Sequence, residues 1–128
     1  MPRERRRLRV LLVEDSEDNR FMMKRLLEMS GYEVAEAVNG EQAVNTAQSI
    51  TPDLILMDLS LPRVDGLAAT RRIRRLPNLI KVPIVVVSAH DSADFHAEAL
   101  ASGCNEYVTK PIDFGQLEGL LKRLAPQF

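Results

Sequence analysis

The sequence predicts a doubly wound α/β domain, a parallel sheet with helices on both faces. Three observations carry this expectation. Five short apolar runs alternate with five segments of helical spacing along the 128 residues. The segments between successive runs are long enough to be helical crossovers, which join parallel strands. The runs at 54–57 and 84–87 are continuous rather than alternating, as expected of strands covered on both faces.

Taken in order, residues 1–7 (Met-Pro-Arg-Glu-Arg-Arg-Arg) read as a flexible basic tail and 8–126 as one domain. Arg9–Val13 is a first strand running into Glu14-Asp15-Ser16-Glu17-Asp18. Ser16 or Asp18 can cap a helix that runs to about Ser30, with acids in its first turn to suit the dipole. Met22, Leu26 and Met29 fall at helical spacing for its inner face, with Phe21 and Leu27 beside them, and Gly31 ends it. Glu33–Val38 is a second strand, and Asn39-Gly40 a turn. The helix from Glu41 to Ile50 faces Ala43, Val44, Ala47 and Ile50 inward. Asp53–Asp58 is the third strand. A helix from about Leu67 to Leu76 turns Ile73 and Leu76 inward and most of Arg71, Arg72, Arg74 and Arg75 to solvent. Val82–Ala89 is the fourth strand, rich in β-branched residues. Asp91 can cap a helix over Ser92–Ser102, closed by Gly103. Asn105–Thr109 is a short fifth strand, and a last helix turns Leu117, Leu120, Leu121 and Leu124 inward before Pro126.

Bulk properties narrow the function. With 17 basic against 18 acidic residues, charge favours neither nucleic acid nor a membrane surface. The arginines of the third helix lack interleaved aromatics, so a solvated face is expected there. The lone Cys104 excludes an internal disulfide and a cysteine-based metal site. No apolar stretch approaches the roughly 20 residues of a membrane span, and no signal peptide follows the N-terminal arginines. A cytoplasmic protein is expected.

In an open parallel sheet, ligands bind beyond the carboxyl ends of the strands. Strand one ends in Glu14 and Asp15, strand three in Asp58, strand four in Ser88, and strand five in Thr109-Lys110-Pro111. Singly, each has an ordinary explanation: a helix N-terminus, a turn acid, a turn cap, a solvent-exposed lysine. Together they gather at one edge. If strands one and three are neighbours, three carboxylates share a pocket and repel unless a cation lies between them. Hard oxygen donors without His or Cys suit Mg²⁺. Lys110 adds a fixed positive charge and Ser88 a hydroxyl. Cation, lysine and hydroxyl around one carboxylate form a receptor for a phosphoryl group, and a carboxylate that accepts it becomes an acyl phosphate.

Glu14-Asp15, Met57-Asp58 with Leu61-Pro62 and Asp65-Gly66, Ser88-Ala89 and Lys110-Pro111 resemble the signature of the response-regulator receiver domain of two-component signalling, across roughly residues 8–125. The resemblance implies a flavodoxin-like sheet of five parallel strands in the order 2-1-3-4-5 with five helices. It implies Asp58 as phosphoacceptor, and Mg²⁺ held by Glu14, Asp15, Asp58 and the backbone carbonyl of Ser60. Lys110 would pair with the phosphoryl oxygens, Ser88 would be the switch hydroxyl, and Tyr107 would match the switch aromatic, turning inward as Ser88 moves. A half-buried core tyrosine explains Tyr107 equally well. The Lys110–Pro111 bond is expected to be cis. Ser60 and His90 fall at positions that set phosphoryl lifetime, although His90 reads better as a solvent-facing loop residue.

The implied partners are a histidine kinase or histidine phosphotransfer protein upstream and a protein downstream, reached through the face of helix 4, strand 5 and helix 5. Self-association into a homodimer is a further option. The receiver is expected to be a signalling domain rather than an enzyme, with only self-phosphorylation and self-dephosphorylation chemistry. It is expected to stand alone, the alternative being a piece of a larger regulator or hybrid kinase. A Mg²⁺-dependent aspartyl phosphatase of the haloacid-dehalogenase type would want an acid where Ser60 stands. A flavodoxin-like cofactor binder would want a phosphate loop where residues 14–18 are acidic. A degenerate receiver that only binds partners would not need the full set of acids and lysine.

Overall fold

The computed structural model describes residues 7–59, 64–89 and 92–125. The expectations for the tail over 1–6, for Ser60, Leu61-Pro62 and His90, and for Asp91 as a cap lie outside these residues. The elements follow as β1 (Arg9–Val13), α1 (Glu17–Met29), β2 (Glu33–Ala37), α2 (Gly40–Ile50), β3 (Leu54–Leu59), α3 (Val64–Arg74), β4 (Ile84–Ser88), α4 (Ala93–Ala101), β5 (Glu106–Thr109) and α5 (Phe114–Leu124). A 3₁₀ turn at Pro77–Leu79 was not foreseen. Every strand pair is parallel and the order is β2-β1-β3-β4-β5.

Strand alternation divides the core into two layers. Val10, Leu12, Leu54, Leu56, Val85 and Val87 pack with Met23 and Leu27 of α1 and with Leu117, Leu120 and Leu121 of α5. Leu11, Val13, Ile55, Met57, Ile84 and Val86 pack against α2, α3 and Ala99 of α4. Because side chains alternate, Asp58 shares the parity of Leu54 and Leu56, and Glu14 that of Val10 and Leu12. Both acids therefore belong to the α1/α5 side of the sheet.

Local signals place the helices. Ser16, not Asp18, caps α1 by accepting from the Asn19 amide. Ser92 caps α4, accepting from the Phe95 amide. Val64 begins α3, three residues ahead of the expected Leu67. The inner face of α1 also differs. Met23 and Leu27 are buried, whereas Phe21, Met22 and Met29 are 65%, 56% and 78% exposed. Two stripes at i, i+4 spacing run side by side here, 23/27 and 22/26, and hydrophobicity alone does not distinguish them. The first lies over the sheet and the second turns toward α5. Arg74 departs from the solvated face expected of it. Its guanidinium donates to the carbonyls of Gly103, Leu79 and Ile80 and to Asn105 Oδ1. Gly103 has φ +109, and a Cβ there would stand 2.7 Å from Arg74 Cγ, so both conformation and space require glycine.

None of the helices among the described residues is long and apolar enough to cross a membrane.

Truncating Leu27, which is fully buried, to Ala is expected to cost about 2–5 kcal/mol. Met29→Ala should stay within about 0.5 kcal/mol, both read by urea unfolding. Burial pushes the Cys104 thiol from 9.0 up to about 11. The thiol is thus neutral in the fold while the unfolded chain ionises it. Stability from this source is complete below pH 9 and is lost as pH rises toward 11. Iodoacetamide at pH 8 should alkylate Cys104 far more slowly in the native protein than in urea; equal rates would contradict its burial.

Candidate functional site

The carboxyl ends of β1, β3, β4 and β5 meet on one edge. Asp58 is paired with Val87 in the ladder and Leu59 with Ser88, which is itself opposite Thr109. The Lys110 amide donates to the Ser88 carbonyl at 2.8 Å, carrying the β4–β5 ladder one residue further. The Lys110 side chain can then reach two strands across, and its Nζ lies 2.8 Å from Asp58 Oδ1. The pair is poorly hydrated, the Asp58 side chain being 3% exposed and that of Lys110 21%. At that distance the Lys110 ammonium is the charge-assisted partner of Asp58 Oδ1. The following bond, Lys110–Pro111, is cis, as expected.

Glu14 stands one residue beyond Val13, which pairs with Met57, and so reaches the level of Asp58 from the adjacent strand. It is fully buried. Its amide donates to the Ala37 carbonyl at 3.0 Å, and its Oε2 accepts from the Ser16 amide at 2.8 Å. Asp15, next along, is exposed. Among the described residues, no three acidic, histidine or cysteine side chains are grouped as a metal site. The donor set nevertheless fits a hard cation. Mg²⁺ is ordinarily held by one or two carboxylates and keeps several waters, and Glu14 and Asp58 offer two from adjacent strand ends.

Ser88 is fully buried at the end of β4, on the parity of Ile84 and Val86. Tyr107 is buried too. Its ring stacks on His96 with centroids 4.6 Å apart and meets Phe95 edge-on at 5.9 Å, so two side chains of α4 cover it. His96, Phe95 and the aromatic cover were not anticipated from the sequence.

A cleft of about 230 Å³ opens beside the pair, between α1 and the segment from β5 to α5. Asp58 and Lys110 form its polar end, and Met22, Met23, Leu26, Ile112 and Phe114 line the rest. The outer stripe of α1 thus leads to the buried acid.

A family model described as the response regulator receiver domain matches residues 10–122. This chain belongs to that family. Among curated relatives, the receiver is 36% identical over 116 residues to the transcriptional regulatory protein PrrA of Mycobacterium tuberculosis, covering 91% of this chain and 49% of that protein. It is 38% identical over 103 residues to the polar-differentiation response regulator DivK of Brucella anthropi, covering 80% of this chain and 84% of DivK. The chain spans about half the length of the first curated relatives it matches. Among solved structures, the receiver domain of the sensor histidine kinase PA1611 of Pseudomonas aeruginosa superposes with a TM-score of 0.84 at 36% identity, over 93% of this chain and 98% of that one. That neighbour holds a magnesium ion in its active-site cleft. The receiver is a signalling domain of two-component systems, and its sheet order is the one the family resemblance implied.

Removing the ammonium would leave Asp58 buried without its charge partner. Lys110→Ala is expected to cost about 1–3 kcal/mol at pH 7 in urea unfolding, with Asp58→Asn in the same background recovering most of it. Strict additivity of the two substitutions would show that the pair is not coupled.

Proposed function

We propose that this chain is a phosphorylatable receiver in which Asp58 accepts a phosphoryl group from a phosphohistidine of a histidine kinase or histidine phosphotransfer protein. The observation that carries the reading is the buried Asp58 carboxylate 2.8 Å from Lys110 Nζ, at the end of a central strand and level with a second buried acid. In the step, a carboxylate oxygen of Asp58 attacks phosphorus in line. The new O–P bond forms as the N–P bond breaks, and the imidazole leaves with the electron pair. Charge on the equatorial oxygens faces the Lys110 ammonium, which is already in place before reaction.

Glu14, Asp15 and Asp58, with the backbone carbonyl of Ser60, would hold Mg²⁺ there. When bound, the cation neutralises charge on the phosphoryl oxygens. The buried Ser88 hydroxyl then serves the product by hydrogen bonding to a phosphoryl oxygen. The face of α4, β5 and α5 reports the change to a downstream protein. Helix α4 is suited to this, because Ala99 is its one buried residue and Phe95 and His96 join it to Tyr107 of β5. Modification shifts a population between two arrangements of that face. Turnover is confined to the receiver's own acyl phosphate.

The apolar cleft supports the choice of a protein donor. A small phosphodonor needs only the polar end, whereas a helix bearing a phosphohistidine can lay apolar side chains along Met22, Leu26, Ile112 and Phe114.

Incubation with acetyl phosphate and Mg²⁺ should add one phosphoryl group by intact mass, and Asp58→Asn should remove the gain. Labelling at full level in that variant would sink the assignment. Met22→Glu should leave labelling by acetyl phosphate unchanged and slow transfer from a phosphohistidine protein by about 10-fold or more, as expected for loss of a buried interface contact.

A further inference from the structure

We infer that Arg20 is a positioning residue for Glu14, and through it for the cation site; this rests on Glu14 being a Mg²⁺ ligand. The hydrogen bonds around Glu14 form a closed ring. The Glu14 amide donates to the Ala37 carbonyl at 3.0 Å. The Glu14 carbonyl accepts from Arg20 Nη1 at 3.0 Å. Arg20 Nε meets Glu36 Oε1 at 3.2 Å, and Glu36 is the residue before Ala37, so the ring closes through the β2 backbone. Lys24 Nζ holds the other Glu36 oxygen at 3.0 Å. Both backbone polar groups of Glu14 are fixed by this ring, while the Ser16 amide fixes its Oε2.

The position of Arg20 is itself determined. Its amide donates to the Ser16 carbonyl in the first turn of α1, so the helix that Ser16 caps also aims the guanidinium. Its side chain is 17% exposed, against 37% for Glu36, so the end of the ring nearest the site is the drier one. A guanidinium is planar and offers donors in a rigid fork, which lets one group serve a carbonyl and a carboxylate together. A lysine keeps the charge but not the fork.

Two other roles for Arg20 predict different outcomes. A cation that only tempers the negative potential of the acids would be replaced fully by lysine, and its neutralisation would tighten Mg²⁺ binding. A tether that only joins α1 to β2 would change stability and leave Mg²⁺ affinity alone. A positioning role weakens affinity when the fork is lost with the charge kept.

The test is calorimetric titration of Mg²⁺ into the full chain and its Arg20→Lys and Arg20→Gln variants. The dissociation constant should rise about 10-fold in Arg20→Lys, the scale seen when groups that orient metal ligands are lost. In the metal-free variant the Glu14 amide should exchange hydrogen faster. With acetyl phosphate, half-maximal labelling should need more Mg²⁺, while the rate at saturating Mg²⁺ is unchanged. Glu36→Ala, which removes the acceptor and cuts the ring on its exposed side, should move all three readouts in the same direction and stands in if Arg20→Lys fails to fold. Parental Mg²⁺ affinity in a folded Arg20→Lys variant overturns the inference, as does tighter binding by Arg20→Gln alone. Absence of Mg²⁺ binding by the parent chain overturns the reading of Glu14 as a ligand and the inference with it.

Discussion

The register of β3 is the constraint on which the rest depends. Four successive residues, Leu54 to Met57, are completely buried, and the next is a carboxylate that is 3% exposed. A slip of one residue would exchange the two faces of the strand and drive the acid into one of the apolar layers. The register is held at both ends. At the amino edge the Asp53 amide bonds the Arg9 carbonyl and the Ile55 amide the Pro83 carbonyl, at 2.8 and 2.9 Å. At the carboxyl edge, Leu59 lies opposite Ser88 and Lys110 is hydrogen-bonded to that residue. The geometry of the site is thus a by-product of parallel pairing, and α1 and α5 must cover Asp58 because its parity leaves no other side.

How much of this was legible in the sequence depends on which signal each part uses. Strands buried on both faces announce themselves as apolar runs, so β1, β3 and β4 emerged directly. Polar residues ending those runs located the edge, and Asp58 and Lys110 do come together there. The inner face of α1 was misassigned because Met22, Met23, Leu26 and Leu27 are all apolar, and only tertiary packing chooses between neighbouring stripes. Arg74 was misread for the opposite reason. A long cationic side chain looks solvated in sequence, yet its stem packs against Gly103 and its head collects carbonyls at chain turns. Partners separated by 29 and 31 residues leave no local pattern.

The site shows the same division. Residue types at strand ends located the edge where Glu14, Asp58, Ser88 and Lys110 gather, because strand ends in an open parallel sheet lie together. They did not reveal that Asp15 would be exposed while Glu14 was buried, since adjacent residues leaving a strand diverge according to the loop that follows. Nor did they show Tyr107 already covered by His96 and Phe95. That contact depends on where α4 sits over β5, and helix placement over an edge strand is set by packing rather than by periodicity. The apolar cleft beside Asp58 was hidden by the same ambiguity in α1: the stripe taken for core is the lining of a surface.

The outer strands of the sheet have a bearing on how this molecule meets copies of itself. The β2 margin displays Glu33 and Glu36, engaged by Arg9 on one side and by Arg20 and Lys24 on the other. The opposite margin, β5, is four residues long. Short strands and charge at the rim discourage another chain from adding itself as a sixth strand. Edge-to-edge addition is thus disfavoured at both margins, and the backbone ladder is left to the five strands that form the sheet.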